Sequence, residues 1–263
     1  MTRYGLLSDV HGNLPALRAA LSFLERQGVD AYLCAGDVVG YGPQPNECVK
    51  LLASIPVQCV AGNHDLIATG QLGDEGIGRL ARRTLAFTRA ELEPAARAWL
   101  ERLPERLALH GALVTHASLT GPRRYVATDA LAALELALLR RADASARVLV
   151  IGHTHRATVF GERSGRVRAV ASEPVPVGAA ERWLINPGAV GQSREREVRA
   201  CVAVLDLARE EATFHALRYD VDETRAELRR RGLPVDAVHM PPRSRARRLV
   251  SRLARVSRRP TPH

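Results

Sequence analysis

The 263-residue chain contains no run near the roughly 18 consecutive apolar residues that a membrane-spanning helix needs. Its N-terminus, Met1-Thr2-Arg3-Tyr4-Gly5-Leu6-Leu7, lacks the longer apolar region and small-residue cleavage site of a signal peptide, and meets Asp9 and His11 at once. Cysteine is scarce and scattered. Cys34, Cys48, Cys59 and Cys201 form no close pair, and three lie in or beside apolar runs, so reduced core thiols in a cytoplasmic protein are expected rather than disulfides or a cysteine zinc cluster. Acid is missing from one stretch, Pro241 to His263, which holds eight arginines. The formal net charge of +10 therefore leaves only about +2 for residues 1–240, and any argument for nucleic-acid binding rests on a basic tail rather than on the body.

What is present is a chain rich enough in apolar residues, at 46%, to bury a sizeable core in one large α/β domain or two small ones. It is organised around Val57-Gln58-Cys59-Val60-Ala61-Gly62-Asn63-His64-Asp65, a short apolar run stopped by glycine and followed by three polar residues on a tight turn. Buried parallel strands have this form, and open α/β sheets carry their sites beyond the carboxyl ends of such strands. Four other runs end alike. Residues 3–8 lead to Asp9 and His11, 31–35 to Asp37, 112–115 to His116, and 148–151 to His153 and His155. Five of the nine histidines fall at these ends; His110, His215, His239 and His263 do not and read as surface or core residues.

Between these runs the pattern predicts helices. Asn13 caps one that carries Leu14, Leu17, Leu21 and Leu24 on one face and stops at Gly28. Others are expected to Leu52, over 65–105 with breaks at Gly70–Gly78 and Glu91–Pro94, over 128–141, and from Asp222 to Arg231. Beyond residue 156 short strands at 158–160, 167–170, 183–185, 201–205 and 212–217, separated by turns, suggest an antiparallel meander. The chain divides into a folded domain over 1–235 and a basic, flexible tail over 236–263.

Imidazole, carboxylate and amide donors together suit Mn²⁺, Fe, Zn²⁺ or Ni²⁺, and the lack of cysteine argues against a purely structural zinc site. Asp9-x-His11 and His153-x-His155 each present two side chains to one side of an extended segment. Two carboxylates facing two divalent ions would leave a positive site that draws phosphate and acidifies water.

Asp9-x-His11, Gly36-Asp37, Gly62-Asn63-His64-Asp65, His116 and Gly152-His153-x-His155 resemble, in order, the five-part signature of the calcineurin-like metallophosphoesterases. Gly36 to Pro43 and Ile185 to Gln192 further resemble the small bacterial and archaeal phosphodiesterase branch, so that the likeness covers about residues 1–218. The resemblance implies a four-layer α/β/β/α sandwich of two mixed sheets, with a dimetal site at the carboxyl ends of the strands, where the sheets meet. It implies two divalent ions, Mn²⁺ before Fe, Ni²⁺, Co²⁺ or Zn²⁺. Asp9, His11 and His155 would hold the first, Asn63, His116 and His153 the second, with Asp37 between them. His64 would protonate the leaving oxygen or stabilise the phosphoryl group, and a metal-bridging hydroxide would attack.

The second motif departs from the protein phosphatases and dinucleotide tetraphosphatases of the family. Val39, Gly40 and Tyr41 stand where those carry Asp and Arg, which leaves Asp65 as the residue that could orient His64 and disfavours protein phosphatase activity. Tyr41, Arg123 and Arg124 are candidates for the substrate. The reading is dimetal hydrolysis of small phosphodiesters, with phosphomonoesters as a further substrate. A non-catalytic metal-binding scaffold and a nucleic-acid-associated phosphoesterase recruited by the tail are the alternatives. Nucleic acid and an anionic membrane surface are equally matched to that tail.

Overall fold

Every apolar run that ends in a histidine, aspartate or asparagine becomes a strand. In the computed structural model, which describes residues 3–109 and 111–241, the chain runs β1 (Arg3–Leu7), α1 (Leu14–Arg26), β2 (Ala31–Cys34), α2 (Pro45–Ala53), β3 (Val57–Cys59), α3 (Asn63–Thr69), α4 (Arg79–Glu91), α5 (Pro94–Glu101), β4 (Arg106–Leu109) and β5 (Ala112–Thr115). It continues through α6 (Asp129–Ala142), β6 (Val148–Val150), β7 (Thr158–Gly161), β8 (Gly165–Val167), β9 (Pro174–Pro176), β10 (Trp183–Asn186), β11 (Ala200–Asp206), β12 (Glu211–Leu217), α7 (Val221–Arg230) and a 3₁₀ turn over Val235–Val238.

The strands form two six-stranded sheets, ordered β3-β2-β1-β11-β12-β9 and β4-β5-β6-β10-β7-β8. Each contains three adjacent parallel strands, β3-β2-β1 in one and β5-β6-β10 in the other, completed by antiparallel neighbours. Alternation along the strands makes the layers. Leu6, Leu33, Val114, Val150, Ile185 and Leu205 point between the sheets. Their neighbours Leu7, Cys34 and Val204 face helices α1, α2, α4 and α5, whereas Leu113, Leu149 and Leu184 face α6. The result is the expected four-layer α/β/β/α sandwich of mixed sheets.

Helix α1 starts as expected. The Asn13 side chain accepts from the Ala16 amide at 3.2 Å, and Gly28 follows its end with φ +64°. Several elements differ from the sequence expectation. The strands after residue 156 do not form a single meander but divide between the sheets. Trp183–Asn186 and most of Ala200–Asp206 are buried on both faces, which only central positions provide. Residues 168–170, expected in a strand, lie past the end of β8. β9 is an edge strand bounded by two prolines, a position where missing amide donors are tolerated, and β4 is a half-exposed edge with little alternation in hydrophobicity. The Asn63-His64-Asp65 segment opens α3 instead of forming a free turn.

Residues 236–240, grouped with the tail from sequence, pack on the body. Ala237 and Val238 are buried with Leu228 and Leu233, Ser193 N donates to Val238 O at 3.1 Å, and Met240 N donates to Ser193 O at 2.9 Å. The arginines expected to bind nucleic acid or an anionic surface, Arg243 to Arg259, lie outside the described residues. Among the described residues no helix is long and apolar enough to cross a membrane.

Candidate active site

The loops after β1, β2, β3, β5 and β6 meet at one end of the sandwich and are laced by main-chain bonds. Asp9 N donates to Gly36 O at 2.9 Å, His11 N to Asp37 O at 2.9 Å, Gly191 N to Asp9 O at 2.9 Å, and Gly152 N to His116 O at 2.7 Å. Of the eight described non-glycine residues with positive φ, six lie here: Asp9 (53°), His11 (49°), Asp37 (54°), Tyr41 (54°), His153 (64°) and His155 (58°). Left-handed backbone costs a side-chain-bearing residue roughly 1–3 kcal/mol, so the strain of the fold is concentrated where these side chains must converge. Two glycines allow the loops to close. A Cβ on Gly152 would lie 1.8 Å from Ser8 Oγ and 2.9 Å from Asp9 Oδ2, and one on Gly40 (φ +89°) would lie 2.3 Å from His64 Nδ1.

The convergent side chains are buried, and hydrogen bonds from one atom of each to neighbouring groups aim the other atom into the site. His11, His155 and His116 each place Nδ1 against a backbone carbonyl: Val39 O at 3.0 Å, Gln192 O at 2.7 Å and Ala35 O at 2.7 Å. That bond takes the Nδ1 proton and turns the Nε2 lone pair into the site. His153 is reversed, with Nε2 against Arg123 O at 3.2 Å, so its Nδ1 is the free atom. Asp9 Oδ2 accepts from Ser8 Oγ at 2.8 Å and from His153 N at 3.1 Å, while its Oδ1 is buried with no hydrogen-bond partner, 3.2 Å from His155 Nε2. Asp37 Oδ1 accepts from the His64 amide, at the start of α3, at 2.8 Å. Its Oδ2 lies 3.7 Å from His11 Nε2 and 3.2 Å from His116 Nε2, and Asn63 Oδ1 lies 3.2 Å from the same His116 atom.

Two groups of mutually close donors result, Asp9–His11–His155 and Asp37–His116–His153. His64 comes within the same reach of His11 and Asp37. Lone pairs aimed at one another with an orphaned carboxylate oxygen between them make a poor self-contained network and a good divalent-cation donor set, all oxygen and nitrogen.

The electrostatics agree. Burial lifts the Asp9 carboxyl, with the like charge of Asp37 adding to it against the pull of His116, to a pKa of about 7. Burial also disfavours the charge on Asp37, but His116 and His64 outweigh it and hold that carboxyl well below the usual range. His116 mirrors this: burial opposes its charge, Asp37 and Asp9 prevail, and its pKa is pushed up to about 10. Burial holds His11 and His155 neutral and lowers His153 to about 3. On the protein's own charges, therefore, a proton on His116 is what balances Asp37, in a place that suits a cation.

Asp65 does not orient His64. Its carboxylate accepts from Val39 N at 3.0 Å and Gly62 N at 2.9 Å, knotting two site loops together, and His64 Nδ1 is buried with no hydrogen-bond partner. The His64 ring is positioned by packing instead, with centroids 4.8 Å from His11 and 4.8 Å from Tyr41.

Above the donors lies a cavity of about 270 Å³ lined by Asp37, Asn63, His64, His153 and His155 and, at the rim, by Tyr41, Tyr125, Arg123, Arg194 and the 75–78 segment. The three substrate candidates fare differently. Tyr41 is in the wall, its ring 4.7 Å from that of His11. Arg123 reaches the rim, but its guanidinium donates to Gly73 O and Glu75 O, pinning the glycine-rich 70–78 segment. Arg124 is exposed and does not line the cavity. Arg194 also lines the cavity and lies 3.4 Å from His155 Nε2; sequence reasoning missed it, as it did Tyr125. A signal existed: Arg194 lies two residues past the Ile185–Gln192 stretch that resembles the family.

An α/β/β/α sandwich whose parallel strands end in buried aspartate, histidine and asparagine around one cavity defines a metal-dependent phosphoester hydrolase. The chain belongs to the calcineurin-like phosphoesterase superfamily, whose domain model matches residues 2–210. It is 34% identical to a metallophosphoesterase from Sphaerobacter thermophilus whose crystal structure superposes with a TM-score of 0.79, covering 90% of this chain and 96% of that one. The crystal structure of protein PH1004 from Pyrococcus horikoshii, 21% identical, shares the fold at a TM-score of 0.73, again over 90% and 96% of the two chains. Protein MJ0912 of Methanocaldococcus jannaschii is 26% identical over 235 residues, 87% of this chain and 93% of that one.

Proposed function

We propose that the protein hydrolyses small phosphate esters, phosphodiesters before monoesters, with two divalent cations, Mn²⁺ before Fe, Ni²⁺, Co²⁺ or Zn²⁺. The observation that carries this reading is the position of Asp37 Oδ2 between two histidine nitrogens, 3.7 Å from His11 Nε2 and 3.2 Å from His116 Nε2. Asp9, His11 and His155 would hold the first cation, Asn63, His116 and His153 the second, and Asp37 would serve both. When bound, the cations supply an acidified water as nucleophile and positive charge against which the phosphoryl group is bound and its developing charge neutralised.

The chain's own residues do the rest. Main-chain bonds to Nδ1 of His11, His116 and His155 keep the donors oriented, so little reorganisation is needed at the reaction. His64 gives a proton to the leaving oxygen. Burial lowers its pKa against the pull of Asp37, and the substrate phosphate adds an anion that favours the protonated form. Closely packed rings of His11 and Tyr41 fix its aim.

The preference for small diesters rests on two features. The cavity of about 270 Å³ is at the small end of ligand sites, and Val39, Gly40 and Tyr41 stand where the family's protein phosphatases have Asp and Arg. Hydrolysis of an aryl phosphodiester should disappear with a chelator and return with Mn²⁺. Turnover of a phosphoserine peptide well above that of any small diester would overturn the substrate assignment.

A further inference from the structure

Arg194 is half-buried at the cavity rim, and its donors reach only neutral groups. Nη1 lies 3.3 Å from Tyr125 Oη, Nε 3.3 Å from Gln192 Oε1, and Nη2 3.4 Å from His155 Nε2. Among the described residues no carboxylate lies within ion-pair distance of this guanidinium. A partly desolvated cation without an anion is an incomplete arrangement, because such charges are normally paired.

Its position says what completes it. Arg194 touches His155, a donor of the first group, while Tyr125 stacks on His153, of the second, with ring centroids 4.1 Å apart. The Arg194–Tyr125 contact therefore spans the opening above both donor groups. Since Arg194 donates to the phenol oxygen, the phenol's own O–H is free to donate elsewhere.

We propose that Arg194 and Tyr125 form an anion clamp that takes a non-bridging phosphoryl oxygen of the substrate and, after hydrolysis, of the phosphate product. The inference rests on the dimetal reading in one respect. His155 Nε2 has a single lone pair, so it cannot both accept from Arg194 Nη2 and ligate a cation. Cation loading releases Nη2, and the released N–H and the phenol O–H then face the space where an anion held by the cations must lie. Arg194 is in this sense a gate between the two occupants: it competes with the cation for His155 and cooperates with it for the phosphoryl group. Planar, multi-donor guanidinium recognition of phosphate is better served by Arg than by Lys.

The test is binding of inorganic orthophosphate to the manganese-loaded protein by titration calorimetry, with metal content measured in parallel and folding checked by circular dichroism. Arg194→Met should keep full manganese content, at an affinity equal to or tighter than wild type, and lose about 10-fold or more in orthophosphate affinity, the effect of one or two charge-assisted hydrogen bonds. Arg194→Lys should recover part of that loss. Tyr125→Phe, which keeps the ring on His153, should lose a few-fold, and KM for a small ester should rise in the same order across the three variants. Orthophosphate affinity unchanged in both Arg194→Met and Tyr125→Phe would overturn the clamp, as would a wild type that binds no orthophosphate. Arg194-dependent orthophosphate binding without hydrolysis of any ester would leave the clamp standing and reject the proposed activity. Hydrolysis with Arg194-independent orthophosphate binding would do the reverse.

Discussion

Asp37 and Arg194 line one cavity and are held in contrasting ways. Asp37 is buried, one of its oxygens fixed by the His64 amide at 2.8 Å and the other aimed between two histidines whose tautomers are set by main-chain carbonyls. Arg194 is half-exposed and makes long bonds of 3.3–3.4 Å to the side chains of Tyr125, Gln192 and His155. Main-chain fixation makes the floor of the cavity rigid, since no donor can move without breaking a loop-to-loop bond. Side-chain fixation leaves the rim adjustable. The contrast teaches that the donors sit in a rigid floor, whereas Arg194, proposed to meet the substrate, is held by side chains that can rearrange.

The largest effect that would sharpen this contrast is expected at Asp37. Asp37→Ala removes the carboxylate proposed to serve both cations and leaves His116 without its counter-charge, so metal content and turnover should both fall to background. Normal metal content in that variant, read by elemental analysis, would break the floor side of the comparison. Gly152→Ala should come next. Its methyl group would sit 1.8 Å from Ser8 Oγ, pushing the Asp9 loop away. The variant should lose the first cation before the second, which stepwise manganese titration would reveal; two cations bound with unchanged affinity would contradict the packing account.

His64→Gln should retain both cations while turnover drops roughly 10²–10⁴-fold, the range for loss of a general acid, with a smaller loss for esters whose leaving groups need no proton. Metal loss in parallel with activity would make His64 a ligand instead. Smaller still is Glu135→Gln. This buried carboxylate on α6 accepts from Ser118 Oγ at 2.5 Å and Leu119 N at 2.8 Å, holding the loop that carries Arg123 and Tyr125. Weakening it should cost about 1–3 kcal/mol of stability in denaturant unfolding and raise KM, leaving metal affinity alone. Arg124→Ala should be the mildest, with stability and kinetics within about twofold of wild type, as for an exposed residue outside the cavity.

The same contrast explains what could be read in the sequence. The floor was legible because each of its donors follows a short apolar run, as in 57–61 and 148–151, and such runs ended by glycine or a polar turn fit strands. The layers followed, since Leu6/Leu7 or Val114/Leu113 alternate between the inter-sheet core and the helices. The rim was legible only in part: Tyr41 and Arg123 were singled out, Arg194 and Tyr125 were not. Arg194 sits in Gln192-Ser193-Arg194-Glu195-Arg196-Glu197, a mixed-charge run that reads as solvated surface, and only the return of β10 beside β6 brings it near His155. Arg123 and Arg124 looked equivalent in sequence, yet one guanidinium is pinned to backbone carbonyls of the 70–78 segment and the other is left in solvent. The partition of the late strands between two sheets was hidden for a related reason. Short strands of similar hydrophobicity carry no mark of which sheet they join, and that choice is made by long-range pairing such as β11 with β1.

The central claim, that the floor holds two cations sharing Asp37 and that hydrolysis depends on both, is open to one direct measurement. Chelator-stripped protein is reloaded with increasing Mn²⁺, and bound metal per chain and turnover of an aryl phosphodiester are read on the same samples, for wild type and Asp37→Asn. The account predicts no turnover in the stripped protein, full turnover only as occupancy approaches two per chain, and neither full occupancy nor turnover in the variant. Turnover that survives stripping, or an Asp37→Asn protein that binds two ions and works at the wild-type rate, would contradict it.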